Sequence, residues 1–345
     1  MKSEDVTIAE VLKMAGYMTG MTGKWGLGET NTTGEPNKQG FDEWFGYLNQ
    51  ARAHNHYPEY LWYNQKKVIL AGNQNGKKEQ LSHEMFTDFA LDFIEKNHKK
   101  TFFLYLPYPY PHGKYEISDT DPYTEMLWDK DEKVYAAMIT SLDRDVGRII
   151  TLLKKLGIDH NTVVFFTSDN GPATLSEERF DSSGPLRGTK RSLYEGGIRV
   201  PFLVRWPGKI KAGTKSDFPC YFPDVMPTLA HIAGVKTPDN IDGVSILPYI
   251  LDHNKDYPDR FLYWEFFRCC NQGRFQQAVR WGKWKAIRMK PGRRLELYDL
   301  SDDIGENSNV AQNHPETITR IEDYIKTART DSPYWPVPKS NSQIP

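Results

Sequence analysis

Four short polar clusters carry most of the residue types in this chain that could do chemistry together. Gly23-Lys24-Trp25-Gly26-Leu27-Gly28 brings an ammonium group, and Pro109-Tyr110-Pro111-His112-Gly113 brings an imidazole. Ser168-Asp169-Asn170-Gly171-Pro172 brings two hard oxygen donors, and Pro185-Leu186-Arg187-Gly188-Thr189-Lys190 a second ammonium. Asp169 and Asn170 suit Ca²⁺ or Mg²⁺. Lys24 and Lys190 offer charge to an anion, and His112 can donate a proton near neutral pH. A divalent cation, two ammonium groups and an imidazole around one tetrahedral oxyanion point to cleavage of a sulfate or phosphate ester. Taken singly, each residue has a plainer reading: Asp-Asn-Gly is a common turn, His112 a loop residue, the lysines solvated charges. What favours the chemical reading is that three of the clusters each follow a strand-like run.

The elements that must position these clusters alternate between helix and strand, which predicts an α/β fold with a mostly parallel sheet between helices. Thr7-Ile8-Ala9-Glu10 reads as a capping box opening a helix that ends at Gly16. Tyr17 to Thr22 reads as a strand. Ser82 is expected to cap a second helix, with Phe86, Phe89, Ala90, Phe93 and Ile94 at helical spacing. Thr101–Leu106 and Thr162–Thr167 are short apolar runs that suit strands buried on both faces. Between them a third helix carries Met138, Ile139, Leu142, Val146, Ile149, Ile150 and Leu153 and stops at Gly157. Residues 201–205 form a further strand and 223–233 a further helix. Ligands of open α/β sheets sit beyond the carboxyl ends of the strands, so the clusters are expected to converge on one sheet edge.

The texture changes after Ile250. A polar, turn-rich stretch precedes strand candidates at 261–267, 275–281, 284–288 and 295–298, then an amphipathic helix at 315–327. The reading is a catalytic α/β domain over 1–251, a small antiparallel sheet with one helix over 260–330, and a loose tail over 331–345.

Composition excludes several classes. Hydrophobic residues are 39% and charged residues 26% of the 345, a globular balance rather than a disordered one. The formal net charge of −1 argues against nucleic acid or an anionic membrane surface as the main partner. No apolar run is long enough to span a bilayer, and the N-terminus is not a signal peptide. Three cysteines, Cys220, Cys269 and Cys270, make neither a disulfide framework nor a zinc pattern. The oligomeric state is not readable from sequence.

In their order along the chain these segments resemble the formylglycine-dependent sulfatases, of the alkaline-phosphatase-like superfamily. Thr7–Tyr17 leading into Gly23-Lys24-Trp25 resembles that family's second signature. Leu104-Tyr105-Leu106-Pro107 through Pro111-His112 resembles its histidine segment. Phe166-Thr167-Ser168-Asp169-Asn170-Gly171 resembles its metal segment. Leu186–Lys190 followed by Tyr194-Glu195-Gly196-Gly197-Ile198-Arg199-Val200-Pro201 resembles the segment of its sulfate-binding lysine. Leu297-Tyr298-Asp299-Leu300 with Gly305-Glu306-Asn307 resembles its C-terminal subdomain. The resemblance implies Asp169 and Asn170 as Ca²⁺ ligands, and Lys24 and Lys190 on the nucleophile or the sulfate oxygens. It implies His112 on the sulfate, protonating the leaving oxygen. It implies a formylglycine nucleophile and covalent catalysis. A small sulfated substrate, carbohydrate or aryl sulfate, follows, in a periplasmic, secreted or lysosomal setting. The rival readings are a phosphate mono- or diesterase of the same superfamily and a non-catalytic protein that holds sulfated glycans.

The sequence departs from the family pattern in three places. The formylglycine motif, Cys or Ser followed by x-Pro/Ala-x-Arg, is not found upstream of Gly23-Lys24-Trp25, nor are the paired aspartates that complete the metal site. The expectation is of a chain lacking its N-terminal part and, by itself, catalytically inert. Ser183-Gly184-Pro185-Leu186-Arg187 fits the motif formally but falls in the lysine segment, and Cys270-Asn271-Gln272-Gly273-Arg274 has Gln272 where Pro or Ala is required. Third, Gly26 stands where many members have a histidine that deprotonates the nucleophile. Arg52-Ala53-His54-Asn55-His56 supplies two imidazoles, and His54 or His56 is the candidate replacement. The aromatic stretch from Trp44 to Trp62 offers rings that could stack on a sugar.

Overall fold

Thr7 and Glu10 close the capping box that the sequence suggests. The Thr7 hydroxyl accepts from the Glu10 N–H at 3.2 Å, and the Glu10 carboxylate accepts from the Thr7 N–H at 2.8 Å. The helix they open, α1, runs Ile8–Lys13. A computed structural model describes residues 1–175, 177–252, 255–267, 275–333 and 335–337. The tail beyond 337 and the Cys269-Cys270 pair, with the Cys270–Arg274 motif, lie outside the described residues.

The chain divides into two units. The first comprises Met1–Val163, Trp206–Ser216 and Cys220–His253; the second comprises Val164–Arg205, Asp217–Pro219 and Asn254–Pro345.

The first unit is built on a mixed five-stranded sheet. Its strands are β1 (Met18–Lys24), β2 (Glu43–Tyr47), β3 (Tyr60–Tyr63), β4 (Lys66–Ile69) and β5 (Phe102–Tyr105), in the order β4-β3-β2-β1-β5. β1 pairs parallel with β2 and with β5, while β2-β3 and β3-β4 are antiparallel. The central strand β1 is buried from Thr19 to Gly23. Helix α2 (Ser82–Asn97) packs on β1 and β2, and helix α3 (Lys130–Lys155) packs on α2. Phe86 and Phe93 of α2 are fully buried or nearly so. Each such side chain contributes about 2–3 kcal/mol of burial, which anchors the helix on the sheet.

Three local expectations are corrected. Residues 164–167 of the run 162–167 are half-buried rather than buried on both faces. Ser82 does not cap α2: it is the first helical residue, and its hydroxyl accepts from the Tyr47 hydroxyl at 3.0 Å instead. The apolar run 101–106 is half-buried rather than buried on both faces, and Tyr105 is 45% exposed. As the last strand in the order, β5 pairs on one side only.

In the second unit β6 (Val164–Thr167) pairs antiparallel with β7 (Phe202–Arg205) as a separate two-stranded ladder, and both are half-buried. The C-terminal part is the small antiparallel sheet that the sequence suggests. It consists of β8 (Phe261–Phe267), β9 (Phe275–Trp281), β10 (Trp284–Arg288) and β11 (Glu296–Asp299) in the order β11-β10-β9-β8. The helix Pro315–Thr327 buries Ile321 and Ile325 among Val279, Ala286, Leu295 and Leu297.

Candidate functional site

The first unit places Lys24 and the loop carrying His112 at one sheet edge. Parallel pairing of β1 with β5 sends both chains out at their carboxyl ends together. The Lys24 N–H donates to Pro107 O at 2.9 Å, and His112 N–H donates to Pro109 O at 2.8 Å. Lys24 is half-buried. Its ammonium has no hydrogen-bond or ion-pair partner among the described residues. A half-buried, uncompensated cation is costly unless an anion comes to it.

His54 and His112 meet face to face. Their ring centroids lie 4.2 Å apart with 9° between the planes. His54 ends the short 3₁₀ turn Arg52–His54, and its carbonyl accepts from the Lys114 N–H at 3.3 Å. The His112 ring binds Gly113 O through Nδ1. A carbonyl only accepts, so Nδ1 carries the hydrogen, and Nε2 is the atom that gains or gives the second proton. His56 stands behind the pair: fully buried, its Nε2 donates to His112 O at 2.9 Å, and its ring packs edge-on to Tyr110. Burial first, and then the neighbouring His83 and His112, pull the His56 imidazole below its ordinary value, against the His112 carbonyl and Glu116, which act the other way. His56 is therefore a support for the loop, whereas His54 is the imidazole in contact with His112.

Gly26, where the family resemblance leads one to expect a histidine, has a backbone suited to glycine. Its φ is +78°, a left-handed conformation that favours glycine, and a Cβ there would lie 3.3 Å from Gln50 Oε1.

The second unit brings Asp169, Asn170 and Lys190 together through the backbone. Asp169 and Asn170 follow β6, with Asn170 Nδ2 donating to Asp169 Oδ1. Gly171 N–H donates to Gly197 O at 2.9 Å, and Lys190 N–H donates to Pro172 O at 2.8 Å. A Cβ on Gly171 would sit 1.9 Å from Gly196 O, so only glycine permits this approach. The donor types of Asp169 and Asn170 suit a hard cation, but two residues fall short of the six to eight oxygens that Ca²⁺ takes. Among the described residues no group of three or more His, Cys, Asp and Glu could hold a metal.

Sequence reasoning missed what holds the Gly196-Gly197 turn. Lys285 of β10, fully buried, binds Glu195 Oε1 at 2.6 Å and Glu306 Oε1 at 3.5 Å. Glu306 in turn accepts from the Glu195 N–H at 2.7 Å, and its carbonyl accepts from Arg187 at 2.7 Å. Burial raises Glu195, but Lys285, Arg280 and Arg199 outweigh it and hold the carboxyl below its ordinary value. The signal that was available is a lysine in the middle of the β10 strand Trp284-Lys285-Ala286-Ile287.

A mixed sheet with helices in the first unit and a small antiparallel sheet in the second are features of the alkaline-phosphatase-like fold. The family model for Sulfatase matches residues 2–235, and that for N-sulphoglucosamine sulphohydrolase, C-terminal, matches residues 188–330. The chain belongs to the sulfatase family. It is 34% identical over 294 residues to N-acetylgalactosamine-6-sulfatase of Mus musculus, covering 81% of this chain and 54% of that protein. It is 33% identical over 305 residues to an arylsulfatase of Hemicentrotus pulcherrimus, covering 83% and 52%. The crystal structure of Ps i-CgsB in complex with k-i-k-neocarrahexaose superposes with a TM-score of 0.83 at 29% identity, covering 98% of this chain and 77% of that one. The chain thus spans about half the length of the two curated relatives. Among the described residues no helix is long and apolar enough to cross a membrane.

Proposed function

We propose that this chain belongs to a sulfuric-ester hydrolase that acts on a sulfated carbohydrate. The observation that carries the proposal is Lys24: a half-buried, unpartnered ammonium at the carboxyl end of a parallel strand, on the same edge as the loop of His112. An uncompensated cation beside a proton-transfer group is what a sulfate ester needs. The relatives support the substrate class. One is named N-acetylgalactosamine-6-sulfatase, and a solved relative is in complex with k-i-k-neocarrahexaose.

In this reading Lys24 neutralises the sulfate oxygens as charge builds on them, and the family resemblance implies Lys190 as a further sulfate-binding lysine. His112 holds a proton at Nε2 and passes it to the leaving sugar oxygen, while Nδ1 stays bound to Gly113 O. His54 keeps the His112 ring in its plane and is the candidate for the base that Gly26 cannot provide. As the family resemblance implies, Asp169 and Asn170 would give two oxygens to a Ca²⁺ ion, which would supply charge stabilisation. A formylglycine, as the family resemblance implies, would supply the attacking oxygen. A periplasmic, secreted or lysosomal setting follows from the same resemblance.

The test is turnover of a chromogenic aryl sulfate by the protein carrying its formylglycine. H112A and K24A are each expected to lower turnover by about 10²–10⁴-fold. Turnover within twofold of the parent for both would reject the reading.

A further inference from the structure

One strand away from Lys24, the carboxyl end of β2 opens into a cavity of about 310 Å³ lined by Glu29, Thr30, Asn49, Arg52, Tyr60 and Trp62. That is the lower end of the range for small-molecule sites. Its lining has two kinds of group. Tyr60 and Trp62 lie edge to face, their centroids 6.2 Å apart at 86°. Glu29 Oε1 accepts from Asn49 Nδ2 at 2.7 Å, setting a carboxylate and an amide side by side on the wall. The Trp62 ring and the carboxylate–amide pair in one lining are suited to a sugar ring, which presents C–H faces to an aromatic ring and hydroxyls to polar groups.

Arg52 is the one cation of the lining, and Lys67, outside the lining, sits on the same aromatic ring. The Arg52 guanidinium lies 4.7 Å above the Tyr60 ring, and the Lys67 ammonium 3.8 Å from the same centroid. Neither has a carboxylate partner or hydrogen-bonded side-chain partner among the described residues. Arg52 is exposed. A planar guanidinium held by an aromatic face, with its donors unspent, is the group that binds a sulfate or carboxylate in bidentate fashion. Arg52 also opens the 3₁₀ turn that ends at His54, so cavity and imidazole pair share one turn.

We propose that this cavity is a second sugar subsite, which holds a neighbouring residue of the glycan and reads an anionic substituent on it through Arg52. The proposal rests on the sulfated-carbohydrate reading for the identity of the chain occupying it. It predicts a preference for glycans that carry more than one anionic group, the scissile ester at one sugar and a retained charge at the next.

The experiment is saturation-transfer NMR on the 345-residue chain with galactose 6-sulfate, galactose and inorganic sulfate as separate probes. Ring-proton saturation from galactose 6-sulfate is expected, with affinity at least about tenfold above that for galactose. R52Q is expected to remove that difference, R52K to restore part of it, and K24A to leave the Arg52-dependent part in place. Inorganic sulfate should compete only weakly. Equal binding of galactose 6-sulfate by R52Q and the parent chain would overturn the proposal, as would equal binding of galactose and galactose 6-sulfate by the parent. Arg52-dependent binding by a protein that carries its formylglycine yet hydrolyses no sulfate ester would uphold the subsite and count against the hydrolase reading alone.

Discussion

His54 and His112 stack with 4.2 Å between ring centroids and 9° between planes, and this contact joins two loops that are 58 residues apart in sequence. The His54 loop follows β2 and the His112 loop follows β5. Neither residue is fixed by its own element alone. Each ring limits the rotation of the other, which holds a proton-transfer group in a fixed plane.

From this contact follows a test of the role of His54. In the protein carrying its formylglycine, H54A is expected to lower aryl sulfate turnover by about 10–10²-fold. H54F keeps a flat ring against His112 but cannot take a proton. If His54 is a base, H54F falls as far as H54A; if it only orients His112, H54F recovers most of the rate. Turnover equal to the parent in both variants would remove His54 from the mechanism.

Lys285 carries the largest expected stability effect. K285M leaves Glu195 and Glu306 buried without their shared cation, and a broken buried pair of this kind costs about 3–5 kcal/mol. Urea denaturation followed by tryptophan fluorescence would measure it. A loss below about 1 kcal/mol would mean that the two carboxyls take up protons and no longer need the lysine.

Gly171→Ala probes the seat of the candidate cation ligands. The added Cβ would meet Gly196 O at 1.9 Å, which backbone movement must relieve. The expected cost is about 1–3 kcal/mol, with amide NMR shifts displaced at Asp169, Asn170, Gly196 and Gly197. Unchanged shifts at Asp169 and Asn170 would show that the ligand loop is not seated on the Gly196-Gly197 turn.

His56 makes stability depend on pH. Burial is the main cause of its lowered affinity for protons, starting from an ordinary value of 6.5. The unfolded chain therefore binds a proton near pH 6.5 that the folded chain refuses until lower pH. Its contribution is fully present above about pH 6.5 and is lost as pH falls towards the depressed folded value. The denaturation midpoint is expected to drop between pH 7 and pH 5 in the parent and to drop less in H56Q. Equal pH dependence in the two would assign the acid sensitivity to other groups.

Much of the fold was legible because it rests on local signals. Thr7 and Glu10 mark the start of a helix by themselves, and the runs 261–267, 275–281 and 284–288 became β8, β9 and β10 with the expected bounds. The helix Pro315–Thr327 was readable from its spacing. The candidate residues Lys24, His54, His112, Asp169, Asn170 and Lys190 were readable as types, since charge and ligand hardness belong to the side chain.

Partnership was not legible, because it depends on which elements lie side by side. Sequence offered His54 and His56 as equal alternatives; the tertiary structure separates them, stacking His54 on His112 and burying His56 behind the loop. Ser82 looked like a cap, yet the Tyr47 hydroxyl claims it. The apolar run of β5 suggested burial on both faces, but its place at the end of the strand order leaves it half-buried. Lys285 read as an ordinary strand residue until Glu195 and Glu306, 90 and 21 residues away, closed around it. The sequence by itself determined which groups are present and where helices and strands begin; only the tertiary structure decided which groups touch, since contacts between distant segments are set by sheet order and packing rather than by local pattern.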